Sequence, residues 1–401
     1  MTQASLDYTN LFAKDLPAAA GRWGGFAPYN FIGGHNNPDT IPIEALVESS
    51  ARVLRQEGRN LATYNLNSGP LGYIGLREFM VEKMGHYRGI QATPDEVLIT
   101  PGSNPGINLV NEVLLEPGDT VITELFSYQG FLNRLRKLKV NMVGIPLDDD
   151  GMRVDILAST LSDLRDRGIT PKYIYTIPTL QNPTGTVLTV ERRHELLRLS
   201  QEYGVPIFED ECYTDLIWEG EVPPAIYALD TGNHVIHIGS FSKNLSPSLR
   251  LGYVVAPWEV LSQIVACKTD SGTGALVQMV VADYFQNHYE EHMEAVRAGM
   301  KHKLHALLAA LDKHFGSVVE YRVPPGGMYL WVKFPEGIDT KKVEAPAQAA
   351  GIAFNAGPDW AADPDAARNY LRLCYALPSE QLIDEGIAKL AEVFQQTVGI
   401  P

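Results

Sequence analysis

A lysine with hydroxyl groups close to it follows one of the apolar segments of the sequence, and this combination can do covalent chemistry. The segment Val235–Ile238 leads into Ser240-Phe-Ser-Lys243, and Arg250 comes shortly afterwards. Burial beside a strand disfavours the charged form of a lysine, so the neutral amine would be available as a nucleophile. Two serine hydroxyls and a guanidinium are groups that can hold a phosphate. Taken alone, a lysine in this position is more typical of an exposed loop.

Polar residues also follow two other apolar segments. Pro206–Glu209 leads into Asp210-Glu-Cys-Tyr213, and Tyr173–Ile177 leads into a segment that contains Asn182. An acid at the end of an apolar strand needs a partner, and pyridoxal phosphate offers a protonated ring nitrogen that pairs with such a carboxylate. Asp210 is also compatible with a helix cap, and Asn-Pro-Thr-Gly after Asn182 is also an ordinary turn signal.

A third signal is a glycine-containing loop that opens a helix. Val97–Thr100 is followed by Pro101-Gly-Ser-Asn-Pro-Gly106 and then by a helical pattern. The free N–H groups at the start of a helix attract an anion, and here Ser103 and Asn104 would provide them. Pro105 suits the first turn because its missing N–H costs nothing there. A capped helix without a ligand is the alternative.

These segments must be positioned by a sheet, because short apolar runs alternate with helical patterns between Val97 and Ile238. This alternation predicts parallel βαβ units, and the continuous apolar runs predict a sheet covered on both faces. Ligands bind at the carboxyl ends of such strands. Beyond Gly252, a helical pattern over about Leu276–Phe315, several short strands and a last helix at Ser379–Val398 predict an α+β module.

We therefore predict an α/β fold with a large domain, in which helices cover a mainly parallel sheet, and a smaller α+β C-terminal domain. The predicted boundaries are 1–55 for an N-terminal arm with part of the small domain, 56–285 for the large cofactor-binding domain and 286–401 for the small domain. The arm is rich in glycine, proline and asparagine, and a helix is predicted after it at Ile43–Glu57, ended by Gly58.

Composition excludes several classes of protein. The 401 residues include 33 basic and 48 acidic side chains, a net charge of −15, which would repel nucleic acid and anionic membranes. No window approaches the ~20 apolar residues of a membrane span, and the N-terminus lacks the pattern of a signal peptide. The cysteines, Cys212, Cys267 and Cys374, form no C-x-x-C pair. We expect a cytoplasmic protein without nucleic-acid or membrane partners.

Taken in order, these segments resemble the fold type I, class I/II aminotransferases that depend on pyridoxal phosphate. The resemblance extends from about Phe31 to near the C-terminus, and its most specific piece is Ser-Phe-Ser-Lys-x-Leu-x-Pro-x-Leu-Arg-x-Gly-Tyr at 240–253. It implies a seven-stranded, mainly parallel sheet, pyridoxal 5'-phosphate as cofactor, and an amino acid and a 2-oxo acid as substrates. It also implies a homodimer with shared active sites.

The resemblance assigns the catalytic and ring-binding roles residue by residue. Lys243 matches the lysine that forms the internal aldimine and later moves the Cα proton. Asp210 matches the carboxylate that keeps the ring nitrogen protonated. Asn182 and Tyr213 match the pair that hydrogen-bonds the phenolic oxygen, and Tyr128 matches the aromatic residue that stacks on the ring.

The remaining roles concern the phosphate and the substrate. Arg372 matches the arginine that binds the substrate α-carboxylate with a bidentate guanidinium, and Asn182 is also assigned to substrate binding. Gly34 matches a glycine that lies over the substrate. Tyr64 matches the tyrosine that reaches the phosphate in the partner subunit. The residues that match the phosphate cup are Ser103, Asn104, Ser240, Ser242 and Arg250.

The chain departs from the family pattern near the expected mouth of the site. His35, Asn36 and Asn37 separate Gly34 from Pro38, where many members have Gly-x-Pro, and the stretch between Tyr64 and Gly72 is longer than usual. Phe126 and Ala356 each replace a common proline. Arg22 would bind a distal substrate carboxylate, as in the aminoadipate-like subgroup, or would be a solvated loop residue. These departures make the substrate the least predictable property.

Three other functions can be compared with the same residues. Ser240-Phe-Ser-Lys243 also satisfies the S-x-x-K motif of penicillin-binding enzymes, but their S-D-N and K-T-G partners are absent from the sequence. A non-catalytic sensor that binds pyridoxal phosphate would carry a DNA-binding domain, for which we expect no room ahead of Phe31. A pyridoxal-phosphate-dependent lyase, decarboxylase or oxidase shares the core motifs and stays open.

Overall fold

The computed structural model describes residues 6–14, 16 and 18–400, and helices and strands alternate over most of this length. The strands are β1 (Tyr29–Asn30), β2 (Val97–Thr100), β3 (Thr120–Glu124), β4 (Asn141–Ile145), β5 (Leu147–Asp148), β6 (Gly151–Met152), β7 (Ile174–Thr176), β8 (Ile207–Asp210), β9 (Val235–Ser240), β10 (Gly252–Val255), β11 (Glu320–Tyr321), β12 (Tyr329–Lys333), β13 (Ile352–Ala353), β14 (Asn355–Ala356) and β15 (Tyr370–Cys374). The α-helices are α1 (Ile43–Glu57), α2 (Ile74–Arg88), α3 (Ser103–Leu114), α4 (Gln129–Leu138), α5 (Val154–Asp166), α6 (Val190–Tyr203), α7 (Ile226–Leu229), α8 (Trp258–Cys267), α9 (Ala275–His314), α10 (Lys341–Ala349) and α11 (Glu380–Val398).

Seven strands form the central sheet, in the order β2-β10-β9-β8-β7-β3-β4. The strands from β9 to β4 in this order are parallel to one another. β10 is antiparallel to both of its neighbours, so β2 runs in the same direction as the rest. The carboxyl ends of six strands therefore meet at one edge, and β10 begins at that edge with Gly252. This edge is where a ligand is expected to bind.

Helices cover both faces of this sheet, which explains why its strands are apolar without alternation. Successive side chains of a strand point to opposite faces. Phe208 of β8 packs in one cluster with Ile107 of α3 and Phe131 of α4. Its neighbour Ile207 packs in another cluster with Leu161 of α5. Each strand thus contributes to two cores, and the sheet is held rigid between them.

A second, four-stranded antiparallel sheet has the order β11-β12-β15-β14. α11 packs against it, and the rings of Phe334 and Phe394 stack there with centroids 4.3 Å apart. The 40-residue helix α9 lies against α1, α2 and α11. At 1.5 Å per residue it is about 60 Å long, so it reaches from the helices beside the seven-stranded sheet to the helix beside the four-stranded sheet.

The predicted fold class, with its seven-stranded and mainly parallel sheet, is confirmed. α1 has the predicted bounds, and the long helix and the last helix each begin and end within one residue of prediction. The sequence did not predict β10 as a strand or the hairpin of β5 and β6. The domain boundaries stay a prediction, and residues 1–5, 15, 17 and 401 within them lie outside the described residues. Among the helices of the described residues, none is both long and apolar enough to cross a membrane.

Gly252 offers a test of how closely the sheet edge is packed. A Cβ on Gly252 would lie 2.6 Å from the backbone carbon of Gly102 and 2.6 Å from the backbone nitrogen of Ser103. Gly252→Ala must therefore displace main chain, and we expect a loss of about 1–3 kcal/mol of stability, measured as a lower melting temperature. Gly299→Ala is the control, because its Cβ would have no contact closer than 3.7 Å in the middle of α9. Equal melting temperatures for the two variants would contradict this packing.

Candidate active site

A cavity of about 430 Å³ opens at the carboxyl edge of the central sheet. Its wall combines the loops after β2, β3, β8 and β9 with residues of the four-stranded sheet. Residues that are far apart in the sequence are thus brought together, as predicted. The predicted site residues in this wall are Gly34, Ser103, Asn104, Tyr128, Asp210, Tyr213, Ser240, Ser242, Lys243, Arg250 and Arg372.

Two predicted site residues lie elsewhere. Asn182 is fully buried behind the wall, where its Nδ2 donates to the Tyr213 hydroxyl at 2.8 Å and its Oδ1 accepts from Arg372 Nη1 at 3.0 Å. Tyr64 is 86% exposed in a 3₁₀ turn at Tyr64–Asn67 and is not among the described residues of the cavity wall. The chain's own cavity therefore does not include Tyr64.

Lys243 lies at the cavity wall just after β9. Its Nζ donates a hydrogen bond to the carbonyl oxygen of Gly34 at 2.8 Å. Burial lowers the pKa of Lys243 to about 8, and the charges of Arg372 and Arg250 act in the same direction. A useful fraction of the amine is therefore neutral near pH 7 to 8. A Cβ on Gly34 would collide with Nζ and with the Tyr329 hydroxyl, which explains the glycine at this position.

Asp210 ends β8 and is buried, with one oxygen satisfied and one not. Its Oδ2 accepts a hydrogen bond from the Tyr175 hydroxyl at 2.6 Å. Its Oδ1 is buried and has no partner among the described residues. Burial raises the pKa of Asp210, while hydrogen bonds from Cys212 and Tyr175 lower it. An unpaired buried acceptor beside the cavity fits a protonated ring nitrogen of pyridoxal phosphate, which would satisfy it.

One end of the cavity is built to receive an anion. α3 begins at Ser103, so its free N–H groups point to this end. Arg250 adopts a left-handed conformation, with φ of 54°, and its guanidinium donates to the carbonyl oxygens of Pro247 and Pro101 at 3.0 and 3.2 Å. Both acceptors are neutral, so the cation is not cancelled. Gly102 leaves room for it, since a Cβ there would collide with the guanidinium. The phosphate of the cofactor fits this end.

Tyrosines line the middle of the cavity. Tyr128 precedes α4, and its hydroxyl accepts a hydrogen bond from Asn104 Nδ2 at 3.1 Å. Burial raises the pKa of Tyr128 and raises that of Tyr213 well above its ordinary value. Both phenols are therefore neutral hydrogen-bond partners at physiological pH. The ring of Tyr213 meets the ring of Tyr329 edge to face, with centroids 5.6 Å apart.

Arg372 is contributed by β15 of the four-stranded sheet and is 2% exposed. Its Nη2 donates to the carbonyl oxygen of Gly33 at 2.9 Å and to Asn355 Oδ1 at 2.8 Å. The guanidinium carbon lies 3.9 Å from the ring centre of Tyr329 and 3.7 Å from that of Trp360. Its Nε has no partner among the described residues. Arg372 lines the cavity, and a desolvated guanidinium there can bind a carboxylate.

The sequence did not reveal several residues of this arrangement. Tyr175 was treated only as part of an apolar strand, although it faces Asp210 from the adjacent β7. Tyr329, Asn355 and Trp360 surround Arg372 from β12, β14 and the turn after β14. The signal that could have found Asn355 and Tyr329 is the strand register, because Asn355 pairs with Arg372 and Tyr329 with Cys374.

The departures from the family pattern fall around this site. Phe126 packs against the rings of Trp331 and Tyr370, with centroids 5.6 and 5.3 Å away. His35 lies edge to face with Phe26 at 5.0 Å, and burial, followed by the nearby charge of Lys243, lowers the pKa of His35. Arg22 is exposed on the N-terminal arm. No cluster of three or more metal-binding side chains occurs in the described residues.

Comparisons with known proteins agree with this geometry. The sequence profile of the family described as "Aminotransferase class I and II" matches residues 34–390. The chain is 33% identical to aromatic-amino-acid aminotransferase 1 of Thermococcus litoralis, over 92% of this chain and 88% of that protein. It is 34% identical to 2-aminoadipate transaminase of Thermus thermophilus, over 91% and 90%. The crystal structure of a multiple substrate aminotransferase from Thermococcus profundus superposes with a TM-score of 0.89 at 30% identity, over 98% and 99%.

The hydrogen bond from Tyr175 to Asp210 can be tested through its effect on pH dependence. Tyr175→Phe removes a donor to the ionised carboxylate, so the pKa of Asp210 should rise. Asp210 must be ionised to pair with a protonated ring nitrogen. We therefore expect the pH at which affinity for pyridoxal phosphate falls on the acid side to rise by about one unit, since hydrogen bonds to charged groups contribute about 1.5–3 kcal/mol.

Tyr173→Phe is the matched control for this experiment. Tyr173 is equally buried on the same strand segment, but its hydroxyl donates to Asn111 Oδ1 at 2.6 Å. Cofactor affinity is measured by titration of the apoprotein between pH 5 and 9. If the pH at which affinity falls on the acid side is unchanged in Tyr175→Phe, or rises equally in both variants, Tyr175 does not set the charge of Asp210.

Proposed function

This chain belongs to the class I and II aminotransferase family, and we propose that it moves the amino group of an α-amino acid to a 2-oxo acid with pyridoxal phosphate attached at Lys243. The observation that carries this proposal is the shared cavity of Lys243, Asp210 and Arg372. When bound, the cofactor supplies an electron sink for the electrons released at the substrate Cα. The residues of the chain hold, orient and move protons around it.

Lys243 is proposed as the residue that binds the cofactor aldehyde and moves the substrate Cα proton. Its lowered pKa supports both roles, because a neutral amine is a nucleophile and a base. Asp210 is proposed to keep the ring nitrogen protonated, and its unpaired Oδ1 supports this. Asn182 and Tyr213 are proposed to hydrogen-bond the phenolic oxygen, and Tyr128 to stack on the ring.

The two ends of the cavity are proposed to bind two different anions. Ser103, Asn104, Ser240, Ser242 and Arg250 would hold the phosphate, which the start of α3 and the uncancelled charge of Arg250 support. Arg372 would hold the substrate α-carboxylate, with Asn182 beside it and Gly34 over the substrate. With the carboxylate held by Arg372 and the cofactor by its own pocket, the Cα–H bond would be directed toward the amine of Lys243. The names of the two curated relatives support a substrate with a sizeable side chain.

The proposed reaction can be tested in a single half-reaction. Protein loaded with pyridoxal phosphate is mixed with one amino acid at a time without an oxo acid, and the cofactor is recovered for mass spectrometry. We expect pyridoxamine phosphate and the matching 2-oxo acid in equal amounts. Recovery of pyridoxal phosphate with ammonia or carbon dioxide, for every amino acid tried, would favour a lyase or decarboxylase instead.

The attachment site can be tested by reduction with borohydride. We expect Lys243→Ala to abolish the covalent adduct between protein and cofactor, detected by intact-protein mass. Lys303→Met is the control, because burial also lowers the pKa of Lys303, while its Nζ donates to the carbonyl oxygen of Ala376 at 2.6 Å, away from the cavity wall. A full adduct in Lys243→Ala, or its loss only in Lys303→Met, would identify a different lysine.

A homodimer with shared sites is proposed as the active unit. Tyr64 supports it, since its side chain is 86% exposed and outside the cavity of its own chain. The turn also has an unfavourable backbone conformation, since positive φ values occur at three consecutive residues that are not glycine, namely Asn65, Leu66 and Asn67. Backbone strain of this kind is typical of functional sites, which supports a functional role for the turn. Exposed apolar side chains also support an apolar partner surface, namely Ile43 and Val47 of α1, which are 64% and 57% exposed.

Mixing two inactive variants tests the shared site. In a hybrid of Tyr64→Ala and Lys243→Ala subunits, one site has its own Lys243 and the partner's intact tyrosine. With random exchange we therefore expect up to about a quarter of wild-type activity, since half of the dimers are hybrids with one intact site each. Activity no higher than the mean of the two separate variants, or full activity in a monomer by sedimentation, would contradict the shared site.

The proposed domain division lies at about residues 55 and 285. The sheets support it, because the seven-stranded sheet uses strands from β2 to β10 and the four-stranded sheet uses strands from β11 to β15.

The cytoplasm is proposed as the compartment. The support is that all three cysteines are free thiols, as is usual in a reducing environment.

A further inference from the structure

The guanidinium of Arg372 donates its hydrogen bonds to neutral groups of the described residues. Its three hydrogen-bond acceptors among the described residues are the amide oxygens of Asn182 and Asn355 and the backbone carbonyl of Gly33. None of them is a carboxylate, although a buried arginine usually has an ionised partner. The full positive charge of Arg372 is therefore available at the cavity.

Two aromatic rings stabilise the buried charge of Arg372 in the absence of a carboxylate partner among the described residues. Ring centres at 3.9 Å for Tyr329 and 3.7 Å for Trp360 are within stacking distance of the guanidinium carbon, and two rings this close fit only on opposite faces of the guanidinium. Cation–π contacts stabilise a desolvated cation without cancelling its charge. They also fix the plane of the guanidinium, and so the directions of its N–H groups.

Strand pairing on both sides of β15 also fixes the position of Arg372. Asn355 of β14 pairs with Arg372 of β15, and Trp331 of β12 pairs with Arg372 on the other side. Trp360 is 2% exposed in the turn after β14 and lines the cavity. The acceptor and the ring thus come from one short segment, which ends at Trp360.

We propose that Asn355 and Trp360 are positioning residues for carboxylate recognition: Asn355 orients the guanidinium of Arg372 through a neutral acceptor, and Trp360 fixes its plane. This inference rests on the proposed role of Arg372. It adds that the neutrality of the acceptor is itself required, because a carboxylate at position 355 would form the ion pair that the substrate carboxylate should form.

Asn355→Asp tests the neutrality of the acceptor, because the change is isosteric and adds only charge. We expect KM for the amino acid and for the oxo acid to rise at least about tenfold, since charge-assisted hydrogen bonds contribute about twice as much as neutral ones. kcat and the absorption spectrum of the bound cofactor should change little. The inhibition constant of 3-phenylpropanoate, a probe of carboxylate binding, should rise in parallel, and that of 3-phenylpropanamide should not.

Asn355→Ala separates positioning from packing. It removes the acceptor without adding charge, so we expect a smaller increase in KM than in Asn355→Asp. A residue that only supported the structure would give the opposite order, because aspartate fills the same space and alanine does not. That opposite order would overturn the proposal for Asn355.

Trp360→Leu tests the ring, and Phe394→Leu is its control. Phe394 is also buried, but its ring stacks on Phe334 with centroids 4.3 Å apart, and it is not among the described residues of the cavity wall. We expect Trp360→Leu to raise KM for both substrates about three- to tenfold, Trp360→Phe to restore it to within about twofold, and Phe394→Leu to lower the melting temperature without changing KM. Equal KM changes in Trp360→Leu and Phe394→Leu would overturn the proposal for Trp360.

Arg372→Ala distinguishes failure of this inference from failure of the proposed function. If Arg372→Ala leaves KM unchanged, the proposed role of Arg372 is wrong. The proposed roles of Asn355 and Trp360 are then also wrong, because both depend on Arg372. If Arg372→Ala raises KM more than tenfold while Asn355→Asp and Trp360→Leu do not raise it, Arg372 binds the carboxylate without their help, and only the present inference is overturned.

Discussion

The burial of Asp210 without a cationic partner is the constraint on which the rest of the site depends. Three consecutive acids, Glu209, Asp210 and Glu211, end β8 and follow it, and all three are buried. Glu209 lies 4.0 Å from Arg193 and 2.9 Å from His237, and Glu211 is paired with Arg88 at 2.7 Å. Among the described residues, Asp210 receives hydrogen bonds but has no cationic partner, and burial raises its pKa. The protein thus neutralises the outer two acids and leaves the central one to a positively charged ligand.

A related arrangement occurs at the two arginines of the cavity. Among the described residues, Arg250 donates to backbone carbonyls, and Arg372 donates to amide and carbonyl oxygens. Arg250 is exposed to solvent, whereas Arg372 is buried, and burial costs free energy for a charge that has no counter-ion. The packed clusters on both faces of the sheet hold this arrangement in place. A ligand with one positive and two negative groups offsets these costs, and pyridoxal phosphate with an amino acid has this distribution of charge.

Local features of the sequence predicted most of this site, and long-range features explain what was missed. Lys243 and Asp210 were identifiable because each directly follows an apolar strand, and the edge where such strands end is dictated by βαβ topology. Tyr175 contacts Asp210 through lateral pairing of β7 with β8, and this register is not encoded in either segment alone. The direction of β10 was not predictable either, because the apolar residues that follow Gly252 are compatible with a parallel or an antiparallel neighbour. The role of Trp360 could not be predicted because it depends on the three-dimensional path of the turn after β14.

Two consecutive peptide groups contact the amine of Lys243 and the guanidinium of Arg372. The carbonyl oxygen of Gly33 accepts from Arg372, and the carbonyl oxygen of Gly34 accepts from Lys243. The carbonyl of Gly33 therefore competes with a substrate carboxylate for one donor of Arg372, and the carbonyl of Gly34 competes with the cofactor for the amine of Lys243. The free energy needed to break the contact with Gly33 is subtracted from the binding of every amino acid and every oxo acid alike. It lowers affinity uniformly without favouring one side chain over another, so discrimination between substrates must come from other parts of the cavity.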